Sequence, residues 1–141
     1  MNFEGEEKKL PWALPKSGGK IATVDLHTAG EPLRVVVDGF PELKGETILE
    51  KRRFIRKNYD YLRKRLMWEP RGHSDMYGAL ITKAENSDSD IGVIFMHNKG
   101  YSTMCGHGII ALVKVISDLG MIPKEEVESG LKIDTPAGLV T

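Results

Sequence analysis

The chain has 141 residues, enough for a single domain that buries roughly 68% of its unfolded surface around a true core. Lys plus Arg and Asp plus Glu both number 20, which removes the charge excess expected of a nucleic-acid or anionic-membrane binder. One cysteine excludes an internal disulfide framework and a cysteine-based structural zinc site within one chain.

Met1 to Gly19 mixes charges with Pro11, Pro15, Gly18 and Gly19, and reads as a flexible N-terminal extension that Trp12 could pin to the body. Its first residues are polar and acidic with no apolar run behind them, so a secretory signal is not expected. No apolar stretch reaches bilayer length, and the free thiol fits a reducing compartment, so the chain reads as cytoplasmic. Lys20–Leu26 and Leu33–Asp38 are rich in β-branched residues and predict an antiparallel strand pair, joined by a polar loop from His27 to Pro32. Thr47 to about Trp68 predicts one long helix. Thr47 and Glu50 have capping-box spacing, and Ile48, Ile55, Tyr59, Leu62 and Leu66 form an apolar stripe. The many Lys and Arg residues between Lys51 and Arg65 then lie on solvated faces of a helix that covers a sheet; a nucleic-acid surface is the weaker alternative.

Glu69–Asp75 predicts a polar loop, Met76–Thr82 a strand, Lys83–Asp90 a surface turn, and Ile91–His97 a strand buried on both faces. Ile109–Ile116 carries one charge, Lys114, and suits a buried helix ended by Gly120. Lys124–Gly130 reads as a polar connector, Leu131–Asp134 as a strand, and Pro136-Ala137-Gly138 as a turn into a last strand. The chain ends inside an apolar strand pattern, which reads as truncation within an element.

The chemistry concentrates at Met104-Cys105-Gly106-His107-Gly108. Cys105 falls at or just before a helix N-terminus, where unpaired backbone N–H groups and the helix dipole favour an anion and lower a thiol's pKa. A buried cysteine is by itself often only a small hydrophobe. Gly106 and Gly108 shift that balance, because they clear side chains from around the thiol and let a ligand approach the backbone. His107 could assist the thiol or be a structural histidine, since two-residue spacing does not bring its ring to the sulfur. His27, Glu31, His73, Asp75 and His107 match no strong zinc spacing, so no metal is expected. Arg71 could hold a carboxylate bidentately, or tie its loop to Asp75 or Glu69.

Met104–Gly108 resembles the first catalytic-cysteine motif of the proline racemase family. Two further blocks match in the same order: Asp25-Leu26-His27-Thr28-Ala29-Gly30-Glu31-Pro32-Leu33-Arg34, and Met67 through Gly78. The resemblance spans nearly all of Ile21 to Thr141. It implies an α/β (α+β) fold of the diaminopimelate-epimerase kind, in which each half wraps a mixed or antiparallel sheet around a central apolar helix. Residues 20–141 would be the N-terminal lobe, truncated at its C-terminal side.

The resemblance also implies a cofactor-independent enzyme acting on a small imino acid, with Cys105 as the base at Cα and the N–H groups of Gly106, His107 and Gly108 holding the carboxylate. A second acid would come from the missing C-terminal lobe. Trp68 and Tyr101-Ser102 lean toward dehydration of trans-3-hydroxy-L-proline to Δ1-pyrroline-2-carboxylate. Proline racemase or hydroxyproline 2-epimerase is the alternative, and the fragment alone is expected to be inactive. A non-catalytic binding module that self-associates as a homodimer is the alternative of a different class. Neither nucleic acid nor a membrane is an expected partner.

Overall fold

A computed structural model describes residues 19–141. The expectation for Trp12 and the rest of the N-terminal extension lies outside the described residues. The elements run β1 (Ala22–Thr28), β2 (Glu31–Asp38), α1 (Ile48–Asn58), α2 (Asp60–Met67), β3 (Tyr77–Thr82), β4 (Ile91–His97), β5 (Tyr101–Ser102), α3 (Gly106–Asp118), α4 (Lys124–Ser129), β6 (Ile133–Thr135) and β7 (Gly138–Val140).

They form one mixed sheet in the order β1-β2-β3-β4-β6-β7, with β5 paired to β4. The β2–β3 and β4–β6 pairs are parallel and the others antiparallel. Successive strand residues point to opposite faces, and both faces are covered. Leu33, Val35 and Phe95 pack with Leu112 and Ile116 of α3 on one side. Val36, Leu80, Ile94 and Met96 pack with Ile48 and Ile55 of α1 on the other. A strand buried on both sides must be apolar throughout, and β4 is buried from Gly92 to Met96.

The α+β class with a mixed sheet is as expected. The apolar helix α3 packs Leu112 and Ile116 against one face of the sheet, and Ile110 on its outer side is 63% exposed.

Several local expectations need correction. The antiparallel β1–β2 pair forms, but His27, Thr28, Glu31 and Pro32 belong to the strands. Only Ala29 (φ 49°) and Gly30 (φ 90°) make the turn, both in the left-handed region that two-residue hairpins favour. The predicted long helix is two helices broken at Tyr59 (φ −131°). Its capping box is present, with Glu50 N–H donating to Thr47 Oγ1 and Thr47 N–H to Glu50 Oε2. The break turns Asp60 inward, where it accepts from Arg63 Nε at 2.8 Å and from Tyr101 Oη at 2.9 Å.

Nor are all the basic residues solvated. Lys51 and Arg63 are buried: Lys51 Nζ donates to the Lys83 carbonyl, and Arg63 Nη1 to the carbonyls of His97 and Asn98. The connector after Pro123 is the short helix α4. Its one apolar residue, Val127, leaves no stripe for periodicity to find, while Glu125 and Glu126 favour the helix start electrostatically. β3 begins at Tyr77 and β6 at Ile133, slightly later than predicted.

Asp134 of β6 organises the β3–β4 connection. It is 2% exposed and accepts from the backbone N–H groups of Glu85 and Asn86, from Asn86 Nδ2 and from Ser89 Oγ, at 2.8–3.0 Å. Glu85 in turn accepts from Ile48 N–H at the start of α1. Burial alone would raise the Asp134 carboxyl, but the Asn86, Ser89 and Glu85 donors together hold it below its ordinary value. This stabilisation is complete above the unfolded-state value and is lost as pH falls through the folded one. Asp134→Asn should cost roughly 2–3 kcal/mol at neutral pH, because buried donors left unpaired cost about 1–3 kcal/mol each. Urea unfolding should show the gap to wild type closing on acidification; a gap independent of pH would contradict this role.

Candidate active site

The site begins with a helix that cannot cap itself. Cys105 is the N-cap of α3, in extended conformation (φ −144°, ψ 106°), and its side chain makes no capping hydrogen bond. The first backbone bond of the helix runs from Ile109 N–H to the Cys105 carbonyl at 2.9 Å. The N–H groups of Gly106, His107 and Gly108 precede it and have no intrahelical acceptor. Three amides at the positive end of a helix dipole make a site for an anion such as a carboxylate.

Two contacts set the height of this turn above the sheet. A side-chain carbon at Gly108 would lie 2.8 Å from Phe95 Cε1 and 3.1 Å from Cys105 Sγ, so only glycine lets the turn sit this close to β4. At Gly106 such a carbon would meet nothing within 4 Å, so that glycine faces open space. Thr28 Oγ1, at the end of β1, donates to the His107 carbonyl at 3.1 Å and ties the turn to the hairpin.

The spacing did not require His107 to reach the thiol, but it does. Cys105 Sγ lies 3.3 Å from His107 Nδ1 and 3.6 Å from Nε2, so the ring lies alongside the sulfur. Tyr77 packs against the same ring edge-on at 5.4 Å and against His97 at 5.5 Å. The sulfur itself is nearly buried, at 7% residue exposure. Burial pushes the thiol above its ordinary value; the Gly108 amide pulls it down, and the charge of Glu31 adds to the upward push. The net direction is upward, opposite to the lowering expected of a helix start, because desolvation is the larger effect.

His107 opens onto a cleft of about 910 Å³ that also takes in Glu31, His73, Asp75, Tyr77 and His97. Of the five residues weighed as metal ligands, four line this cleft and His27 does not, and among the described residues no three such groups stand close enough to share a metal ion. His27 Nδ1 instead accepts from Gly30 N–H within the hairpin. Arg71 stands apart, in a cavity with Tyr61 and Arg65. Its carbonyl accepts from Arg34 Nη1, and among the described residues its guanidinium pairs with neither Asp75 nor Glu69.

Two residues that brace the loop carrying His73 and Asp75 were not singled out from the sequence. Asn98 donates to the carbonyls of Met67 and His73, while its own carbonyl accepts from Arg63 Nη1 and Trp68 Nε1. Arg34 pairs bidentately with Asp25 at 2.8 and 2.9 Å and also donates to the Leu66 carbonyl. Asn98 left no sequence signal beyond a turn. Asp25–Arg34 had one, because a hairpin centred on Ala29-Gly30 puts these residues opposite each other.

The family model described as proline racemase matches residues 23–141. A trans-L-3-hydroxyproline dehydratase of Xenopus tropicalis is 51% identical over 133 residues, covering 94% of this chain and 38% of that protein. A trans-3-hydroxy-L-proline dehydratase of Colwellia psychrerythraea is 51% identical over 120 residues, covering 85% of this chain and 34% of that protein. The chain therefore spans little more than a third of the length of these relatives. Among solved structures, a hydroxyproline epimerase from Agrobacterium vitis with bound trans-4-hydroxy-L-proline superposes with a TM-score of 0.77 at 26% identity, covering 84% of this chain and 35% of that one.

Two outcomes test the geometry. Alkylation of Cys105 by iodoacetamide should be slow at neutral pH, with its midpoint above that of a free thiol. Glu31→Gln should move that midpoint down; an unchanged midpoint would contradict the coupling. Gly108→Ala should cost about 1–3 kcal/mol by overpacking against Phe95, read as a lower urea midpoint, whereas Gly106→Ala should cost less.

Proposed function

This chain belongs to the proline racemase family, and on that premise we propose that residues 20–141 form the cysteine-bearing lobe of a cofactor-independent trans-3-hydroxy-L-proline dehydratase. The observation that carries this reading is the thiol of Cys105 set beside three amides that have no intrahelical acceptor. The Cα–H of an amino acid is a weak acid. Its removal becomes feasible when the negative charge flowing into the carboxylate is met by preorganised donors. The N–H groups of Gly106, His107 and Gly108 are those donors, and Cys105 is the base.

Loss of the Cα proton and of the 3-hydroxyl yields an enamine, which tautomerises to Δ1-pyrroline-2-carboxylate. The proton goes to sulfur and the carboxylate charge to the amides, so no metal or organic cofactor enters the steps. The opposite face of the substrate falls to a second lobe, for which the greater length of the relatives leaves room. Met104 and Ile110, 42% and 63% exposed near the start of α3, are apolar surface for that lobe to cover. Among the described residues no helix is long and apolar enough to cross a membrane, and a free thiol suits the cytoplasm.

The epimerase likeness supports a second reading, racemisation of proline or 2-epimerisation of hydroxyproline. In that reading the second lobe returns a proton to Cα and the hydroxyl is retained. The full-length gene product, assayed on trans-3-hydroxy-L-proline and on L-proline, separates the two. Dehydration is expected, and Cys105→Ser should lower it by about 10²–10⁴-fold, the scale of a lost general base. Racemisation without dehydration would favour the second reading, and full activity of Cys105→Ser would remove Cys105 from the chemistry.

A further inference from the structure

In trans-3-hydroxy-L-proline the hydroxyl lies on the ring face opposite the carboxylate. The Cα hydrogen, sharing its carbon with the carboxylate, also lies opposite it. The two groups lost in dehydration are therefore on one face of the ring, the face that meets Cys105. The group that protonates the departing hydroxyl must approach from that same side. It has to come from around the thiol, not from a residue across the ring.

Among the described residues, one side chain meets that demand. The ring of His107 lies alongside Sγ, at 3.3 Å for Nδ1 and 3.6 Å for Nε2, and also lines the open cleft. A hydrogen and a hydroxyl on one face of neighbouring ring carbons are about 2.5 Å apart, given C–C bonds of about 1.5 Å. A sulfur and an imidazole nitrogen 3.3 Å from each other can therefore face both groups at once. Tyr77 against the ring edge and Thr28 on the His107 carbonyl hold the imidazole in register.

We propose that His107 is the general acid of a syn elimination in which Cys105 is the base; the proposal rests on the dehydratase reading above. The thiolate of Cys105 takes the Cα proton, and the C–H electron pair becomes the Cα–C3 double bond. The C3–O bond breaks with its pair on oxygen, which takes a proton from the His107 imidazolium and leaves as water. This leaves a thiol and a neutral imidazole. Transfer of the thiol proton to the imidazole nitrogen within 3.3 Å restores the starting pair, so no outside acid is needed. The enamine tautomerises after the elimination.

The test uses the full-length enzyme in D2O and compares two rates on trans-3-hydroxy-L-proline: dehydration, and wash-in of deuterium at Cα of recovered substrate. If His107 is the acid, its loss strands the Cα carbanion, which picks up deuterium instead of losing hydroxide. In His107→Asn and His107→Gln, the ratio of wash-in to dehydration should rise at least 30-fold over wild type. An unchanged ratio, with both rates falling together, would overturn the proposal and leave His107 acting on the thiol alone. Unchanged dehydration would also overturn it. A second measurement needs no variant: cis-3-hydroxy-L-proline carries its hydroxyl on the far face, and wild type should exchange its Cα hydrogen without dehydrating it. Dehydration of the cis isomer at a rate within 10-fold of the trans isomer would contradict a same-face acid. Absence of dehydration of the trans isomer by wild type would instead remove the dehydratase reading itself.

Discussion

The first turn of α3 has three N–H groups that the helix cannot satisfy, and its N-cap is a cysteine that does not cap. A serine, threonine or aspartate there would accept from one of those amides and stabilise the helix by about 1 kcal/mol. With cysteine in place, no side-chain cap engages the turn, and the Gly108 amide lies against the thiol. Much of the fold bears on this one turn. Gly108 lets it sit on Phe95, Thr28 ties it to the β1–β2 hairpin, and the apolar face of α3 fastens it to the sheet through Leu112, Val115 and Ile116.

The opposite layer supports the cleft rather than the turn. Arg63 of α2, buried and paired with Asp60, reaches the carbonyls of His97 and Asn98 at the end of β4. Asn98 passes that support to the loop that carries His73 and Asp75. Tyr101, under the same Arg63 guanidinium and donating to Asp60, closes the network. A chain of charge-assisted hydrogen bonds thus runs from a helix on one face of the sheet to the rim of a cleft whose chemistry lies on the other. On the face that carries the chemistry, burial raises the Cys105 thiol. In the proposed reaction the thiolate is reached through its contact with His107 and through the bound carboxylate and second lobe, not through the helix start alone.

Much of this was legible in the sequence where one physical signal dominated. The unbroken apolar run Ile91–His97 gave a strand buried on both faces, and the run after Gly108 gave a helix, because burial leaves no alternative to apolar side chains. The start of α3 was legible from Cys105, Gly106 and Gly108 together. The break at Tyr59 was not, since the stripe Ile48, Ile55, Leu62 and Leu66 is continuous and the break answers to Asp60 turning toward Tyr101, a residue far along the chain. The burial of Lys51 and Arg63 was hidden for the same reason: their partners are backbone carbonyls brought close only by the fold. The meeting of Cys105 and His107 depends on side-chain rotation in the first helical turn, which spacing does not determine.

The central claim is that the amides of Gly106, His107 and Gly108 receive the substrate carboxylate while Cys105 faces Cα. The most direct measurement is an amide-resolved NMR titration of the full-length protein carrying Cys105→Ala, whose methyl group can neither act as a base nor cap those amides, with trans-3-hydroxy-L-proline. The account predicts that these three amide protons shift downfield together, as expected for new hydrogen bonds to a carboxylate, with the same saturation curve. Saturable binding that moves resonances elsewhere and leaves all three amides in place would contradict it.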